Sequence, residues 1–336
     1  MNKRDLPWRR TKDPYFIWLS EIILQQTRVA QGLKYYEKFV TEFPDIFALS
    51  RADEKKVMKL WQGLGYYSRA RNMHFTSKVI AEQHGGEFPR SFKEILSLKG
   101  VGDYTASAIS SISFNQPQAV VDGNVYRVLS RYFGISEPID STTGKKKFKE
   151  LAQELIDPEQ PGDYNQAVME LGAMVCKPKN PSCFECPLND SCFALQSKST
   201  DKLPVKTQRL QVKKKYMNFF VLDQNQSITK VIQRTNSGIW QNLFEFPSFE
   251  SDRPQEEFLK QENILSDLLG IQKDYRLKKY NRDPVIHKLT HRTIYATFWL
   301  INTDEIVKDT IRWDQLKDYA LPVLIQNFVD KYRPLQ

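Results

Sequence analysis

Over the first two hundred residues the apolar positions recur at helical spacing, each stretch able to bury one face of a helix. The pattern predicts a helix over Pro14–Ala30, with Ile17, Leu24 and their neighbours on its apolar face. Ser50 and Asp53 have the spacing of a capping box ahead of a helix that reaches Trp61. Tyr67–His84 is periodic and stops at Gly85-Gly86, which suits a left-handed C-cap. Ser91 and Glu94 form a second box, whose short helix runs into Leu98. Further helices are predicted over Tyr104–Phe114, Gly123–Phe133, Thr143–Ile156 and Asp163–Cys176, so the N-terminal part reads as all-α.

The pattern then changes. Residues 198–215 carry a proline, seven lysines and arginines and almost no large apolar side chain, the composition of a linker. Beyond them YMNFFVLD, SITKVIQR and TIYATFWLI are rich in β-branched and aromatic residues and predict strands. Helical stretches near Glu256–Leu269 and over Leu321–Lys331 are interleaved with them, so this part reads as α+β. The expected division is a helical region over 1–197, a basic linker over 198–215 and a second domain over 216–336, with no internal repeat.

Composition narrows the function classes. A chain of 336 residues is too long for one ordinary core, and 40% hydrophobic with 12% aromatic residues lies in the globular range. No stretch approaches the roughly 18 apolar residues of a membrane span, and MNKRDLPWRR lacks the apolar region of a signal peptide. The expectation is a soluble, cytoplasmic monomer, nucleoid-associated if bacterial, with no membrane partner. A formal charge of +9 favours a polyanionic partner. All four cysteines fall in one short segment, Cys176, Cys183, Cys186 and Cys192, spaced C-x6-C-x2-C-x5-C. Thiolates so close together fit one metal centre. One cysteine at a helix end followed by a tight loop of three favours an iron–sulfur cubane over zinc, which prefers paired C-x2-C motifs. Scattered disulfides would belong to a secreted framework.

Two motifs bear on chemistry. LKGVGDYTASAI, Leu98–Ile109, reads as helix, glycine hairpin and helix. Gly100 and Gly102 permit the tight turn, and the backbone N–H groups entering the second helix form an anion site where a DNA phosphate can dock without reading sequence. AVVDGNVYRVL follows, with Asp122 ahead of a glycine and a helix; alone, such an aspartate is an N-cap.

A hairpin, an aspartate about twenty residues on and a four-cysteine segment together resemble the endonuclease III superfamily of DNA glycosylases, over residues 6–200. Within it the chain resembles the MutY-type adenine glycosylases, through LPWR (Leu6–Arg9), WLSEIILQQTRV (Trp18–Val29), GLGYYSRARN (Gly63–Asn72), VDGNVYRVL and NQAVMELGAMVC (Asn165–Cys176). The resemblance implies a helix-hairpin-helix domain with a [4Fe-4S] cluster on the four cysteines, in the loop 176–192. It implies an enzyme that flips adenine out of duplex DNA opposite 8-oxoguanine or guanine and cuts its glycosidic bond. The rivals are a glycosylase for another base, such as thymine opposite guanine, and a non-catalytic mismatch-binding iron–sulfur protein.

The family's reaction needs two carboxylates in different states. Adenine leaves poorly as an anion, so an acid that still holds its proton near neutral pH must protonate N7. A second, charged carboxylate must stabilise the oxocarbenium-like sugar. Glu21 and Asp122 fit these roles, with Tyr104 and Asn124 assisting. By the same resemblance Arg9, Trp8 and Gln166 form the adenine pocket, and Gln26 and Tyr66 enter the duplex around the lesion pair. Relatives that also nick the strand place a Schiff-base lysine two residues after the second hairpin glycine; here that position is Tyr104, which has no amine. Lys99 lies on the other side of the turn and reads as a phosphate contact.

The C-terminal part resembles the Nudix-like lesion-recognition domain of that family through SGIWQNLFEFP, Ser237–Pro247. SFESDRPQEEF lacks the glutamate-rich metal helix of a working Nudix hydrolase, so pyrophosphatase activity is not expected. Where the family's recognition loop has Phe-Ser-His, this chain has Leu289-Thr290-His291. A threonine hydroxyl can make a serine's hydrogen bonds, but leucine cannot stack as phenylalanine does.

Overall fold

Local chemistry sets the helices of the N-terminal part. A computed structural model describes residues 4–207, 212–255, 262–272 and 275–332. In chain order it has α1 (Pro14–Leu24), α2 (Val29–Glu42), α3 (Ile46–Arg51), α4 (Glu54–Trp61), α5 (Ser68–Gln83), α6 (Phe92–Ser97), α7 (Asp103–Phe114), α8 (Gly123–Phe133), α9 (Thr142–Leu155), α10 (Pro161–Met174) and α11 (Phe193–Gln196). Asp13 caps α1 by accepting a 2.8 Å hydrogen bond from the Tyr15 amide, and Pro14 fills the first turn, where its missing N–H costs nothing. Asp45, Asp53, Ser91, Asp122 and Ser141 cap α3, α4, α6, α8 and α9 in the same way.

Two expectations are corrected. The helix predicted over Pro14–Ala30 stops at Leu24, and α2 starts at Val29. Gln26 turns the chain with a left-handed φ of 55°, which no glycine or proline in the sequence announces. Ser50 does not open a capping box: it lies inside α3, where its hydroxyl donates to the Phe47 carbonyl at 3.0 Å, and Asp53 alone caps the helix that follows.

The chain forms two compact units, Met1–Ala52 with Arg71–Arg209, and Asp53–Ala70 with Leu210–Gln336. In the first, α1 is apolar on nearly every side and buries Ile17, Trp18, Leu19, Ile22 and Ile23 against α2 and α7, as a central helix must. A second cluster, Val125, Leu129, Phe148 and Ala152, joins α8 to α9.

The second unit is built on a mixed sheet. Its strands are β1 (Lys213–Leu222), β2 (Ile228–Thr229), β3 (Ile232–Gln233), β4 (Phe244–Glu245), β5 (Ser248–Ser251), β6 (Tyr275–Lys279), β7 (Val285–Lys288), β8 (Arg292–Thr303) and β9 (Ile311–Arg312). The order is β5-β1-β8-β6, with β7 also paired to β8; β1 and β8 run parallel from Lys213 opposite Arg292 to Leu222 opposite Ile301. Strand alternation sorts the core into two layers. Phe220, Leu222, Trp299 and Ile301 face α12 (Glu262–Leu269) through Leu265 and Leu269. Phe219 and Phe298 face the other way, and Phe298 stacks at 4.1 Å on Phe328 of α13 (Val323–Tyr332). The predicted strand SITKVIQR divides into β2 and β3, which pair with different partners, β9 and β4. Of the helix predicted near Glu256–Leu269, residues 256–261 lie outside the described residues, as do 1–3 and 208–211 of the N-terminus and the basic linker.

Candidate active site

Burial of α1 carries Glu21 with it. The residue sits among Ile17, Ile22 and Leu24 and is 8% exposed. Its carboxyl opens on a cavity of about 200 Å³ in the first unit. The segment before α1 supplies Arg4, Trp8 and Arg9, α7 supplies Tyr104, α8 supplies Asp122 and Asn124, and α10 supplies Gln166, Met169 and Glu170. The seven residues predicted for catalysis and the adenine pocket therefore line one cavity.

The two carboxyls are held differently. Burial pushes Glu21 up to about 7. A hydrogen bond from the Tyr104 hydroxyl pulls the other way, the negative charge of Asp122 adds to the rise, and Arg9 opposes it. Tyr104 is itself raised well above 10, first by burial and then by Glu21 and Asp122, so it remains a neutral donor. Asp122 is fastened as the N-cap of α8. Its Oδ1 accepts from the amides of Asn124 and Val125, both at 2.8 Å, and its Oδ2 accepts from Asn124 Nδ2 at 2.7 Å. The cap fixes the carboxylate's direction while leaving it on the cavity wall.

Several polar residues that hold the site were given no role from the sequence, although Arg127 lies within VDGNVYRVL and Glu170 within NQAVMELGAMVC. Arg127 donates from Nη2 to Asn124 Oδ1 at 2.9 Å and to the Gly172 carbonyl at 2.7 Å, and from Nε to the Cys176 carbonyl at 2.6 Å. It ties the aspartate's partner to the start of the cysteine segment. Gly172 lets α10 approach that closely, since a Cβ there would meet Asn124 Cβ at 2.6 Å. Glu170 accepts hydrogen bonds from both Arg4 and Arg9. Position was a further signal: Arg127 follows Asn124 by three residues on one face of α8, and Glu170 lies one turn beyond Gln166 on α10.

The four cysteines are free thiols that line one cavity of about 30 Å³, together with Val175 and Leu195. Burial raises Cys183 and Cys186, and each also feels the charges of Cys176 and Cys192. Arg131, 3% exposed, places Nη1 3.4 Å from Cys176 Sγ and donates to the Lys177, Pro178 and Leu203 carbonyls. A donor set of four thiols beside a guanidinium fits a thiolate-bound centre, although among the described residues no group of three or more such side chains is gathered closely enough for a single metal ion.

The hairpin has the predicted form. Gly100 takes a φ of 83° and packs so closely on Asn72 that a Cβ would lie 2.7 Å from that residue's Cβ, and Gly102 begins α7 with open space around it. Lys99 is exposed, with Nζ 4.4 Å from the centre of the Phe75 ring. Gln26 is exposed on its left-handed turn. In the second unit Tyr66 also has a positive φ, and its hydroxyl shares a hydrogen bond with that of Thr290. Thr290 and His291 are exposed in the turn between β7 and β8. A hollow of about 490 Å³ in that unit, between α4, β3, β4 and the 3-10 turn Trp313–Asp318, holds none of the predicted residues.

Comparison with known proteins bears on the family and on the two domains. Residues 19–158 match the model of the HhH-GPD superfamily of base excision DNA repair proteins, and residues 218–331 match the NUDIX domain. The chain is 35% identical to the adenine DNA glycosylase of Buchnera aphidicola subsp. Schizaphis graminum, over 98% of this chain and 95% of that one. It is 44% identical to the human adenine DNA glycosylase, over 60% of this chain and 38% of that one. The solved structure of a thermostable thymine-DNA glycosylase superposes with a TM-score of 0.54 at 33% identity, covering 58% of this chain and 89% of that one. With so close a match along almost its whole length, the chain belongs to the MutY-type adenine DNA glycosylases, in which a helix-hairpin-helix domain is followed by a Nudix-like domain.

Proposed function

We propose that this protein removes adenine paired with 8-oxoguanine or guanine, with Glu21 protonating N7 and Asp122 stabilising the oxocarbenium-like sugar. The observation that carries the reading is the pair of carboxyls on one cavity: Glu21, buried and raised to about 7, keeps a proton near neutral pH, while Asp122 is a fixed acceptor. Adenine rather than thymine is favoured because relatives named for adenine match 98% of the chain, and the thymine relative matches 58%. Trp8, Arg9 and Gln166 line the same cavity and would receive the flipped base. Tyr104 and Asn124 would assist through their bonds to Glu21 and Asp122.

The remaining roles follow from position. Lys99 and the amides after Gly100 and Gly102 take a backbone phosphate at the start of α7. Gln26 and Tyr66 enter the duplex at the lesion pair, and Thr290 and His291 read the damaged base. Cys176, Cys183, Cys186 and Cys192 hold a [4Fe-4S] cluster, which supplies a structural crosslink between the end of α10 and the loop beyond it. With Tyr104 at the lyase position, the enzyme leaves an intact abasic strand.

Single-turnover cleavage of duplexes carrying A opposite 8-oxoguanine, A opposite G and T opposite G tests this reading. Adenine release from the first two, none from the third, and strand breaks only after alkali are expected. Release of thymine would overturn the base assignment, and borohydride trapping that disappears in Lys99→Ala would overturn the monofunctional one.

A further inference from the structure

Two arginines from the chain's first ten residues reach the catalytic cavity, and both end on one carboxylate of α10. Arg4 donates to Glu170 from its backbone N at 3.1 Å, from Nε at 2.8 Å and from Nη2 at 2.7 Å. Arg9 donates from Nη2 to Glu170 Oε2 at 2.6 Å. Glu170 is 7% exposed, and the side chain of Arg9 is 10% exposed, so this pair is largely out of water. Both line the same cavity as Glu21.

We propose that Glu170 is the counter-charge that lets Arg9 serve the base pocket without drawing the proton from Glu21: a positioning residue that acts on the catalytic acid through Arg9. The inference rests on the reading of Glu21 as the proton donor. A guanidinium stays charged at every working pH, so only a neighbouring anion can weaken its field. A cation close to a desolvated carboxyl favours the charged form, and Arg9 does pull Glu21 in that direction.

The charged and titratable groups facing Glu21 are Arg9 from the N-terminal segment, Tyr104 from α7 and Asp122 from α8, with Arg4 and Glu170 lining the same cavity. Arg127 acts on Asp122 rather than on Glu21. Two guanidiniums and one carboxylate leave the arginine cluster with one net positive charge; without Glu170 it has two. Glu170 can supply its charge throughout. Burial works against it, but the hydrogen bonds from Arg4 and Arg9 outweigh burial and hold it at about 2.

The test is the pH profile of single-turnover adenine release, from about pH 5 to about pH 9. In the wild type the rate falls as pH rises through the titration of Glu21. Glu170→Gln keeps the size and one acceptor oxygen but removes the charge. Its midpoint is expected about one pH unit lower, so that the rate is about tenfold below wild type on the alkaline side and converges with it in acid. Arg4→Gln with Glu170→Gln restores the charge count and returns the midpoint toward wild type. A uniform loss at every pH, with the midpoint unmoved, would mean that Glu170 merely braces Arg9 and would overturn the proposal. Should Glu170→Gln fail to fold in a thermal melt, Arg4→Gln alone decides: one positive charge fewer must raise the midpoint, and an unchanged or lower one overturns the idea. A wild type that releases adenine at no pH would instead overturn the functional reading beneath it.

Discussion

The cavity at Glu21 and the turn at Thr290 use polar side chains in opposite settings. Glu21 is 8% exposed, and its environment has changed its chemistry, raising a carboxyl into the neutral range. Thr290 and His291 stand exposed in a hairpin turn, where the Thr290 hydroxyl shares a hydrogen bond with that of Tyr66. A group that must transfer a proton needs the first setting, because only desolvation moves a carboxylic acid so far. Groups that read a partner base need only hydrogen-bond geometry, which an exposed turn supplies once DNA covers it. Substitutions in the two places should differ in kind as well as in size.

Loss of the proposed proton donor should have the largest effect. Glu21→Gln keeps the shape of the side chain but cannot protonate N7, so single-turnover release from A·8-oxoguanine should fall by about a hundredfold or more while duplex binding persists. Asp122→Asn should cost a comparable factor, since the amide retains the cap geometry but not the charge. Near-normal release by either variant would erase the contrast with the turn.

A proposed cluster ligand should come next, with stability as the readout. Cys186→Ser removes one of four thiols around the cysteine cavity. Purified wild type should show broad visible absorption with iron and sulfide bound, and the variant should lose it and melt roughly 5–10 °C lower. A colourless wild type prepared without oxygen, loaded with zinc, would remove the cluster from the proposal.

At the turn, the combined change Thr290→Ala and His291→Ala should act on discrimination alone. Lost hydrogen bonds of about 1–3 kcal/mol reduce the preference for 8-oxoguanine over guanine by roughly ten- to a hundredfold. The rate at saturation on A·G should stay near wild type. Equal losses on both substrates would mean that the turn does not read the lesion, and would move that role to Gln26 and Tyr66.

The same contrast explains what the sequence made legible. Helices with a capping residue and a repeating apolar face were readable: α8 spans the predicted Gly123–Phe133, and α7 and α9 differ from prediction by a single residue at one or both ends. The break after Leu24 was not, because Gln26 adopts its positive φ without glycine. Short strands such as β2, β3, β4 and β9, two residues each, carry too little periodicity to show, and their pairing depends on distant segments. At the site, Glu21 and Asp122 stand out through long matched segments, although Asp122 taken alone reads as an ordinary cap. Glu170, Arg4, Arg127 and Arg131 stayed hidden. Apart from the bonds of Arg127 within α8, their side-chain contacts join segments more than forty residues apart, as with Arg4 and Glu170, and no local pattern encodes such a contact.

The smallest effect belongs to Tyr104 and sharpens the account of Glu21 itself. Burial is the main cause of the raised carboxyl, and the Tyr104 hydroxyl is the first force against it, because a donated hydrogen bond favours the charged form. Tyr104→Phe keeps the ring and removes that donor, so Glu21 should hold its proton to a higher pH than about 7. The rate falls where the proton is lost, and the fall should therefore move to the alkaline side. In acid, where Glu21 is protonated in both proteins, the rates should agree within a few-fold, the residual difference coming from the lost 3.6 Å contact of the hydroxyl with Met169 Sδ and from looser placement of the acid. This displacement is opposite in sign to the one expected of Glu170→Gln, so the two profiles measured side by side separate a donor that stabilises the carboxylate from an anion that shields it. A midpoint that moves to lower pH in Tyr104→Phe would mean that the hydroxyl does not donate to Glu21, and Arg9 would be left as the one group opposing burial.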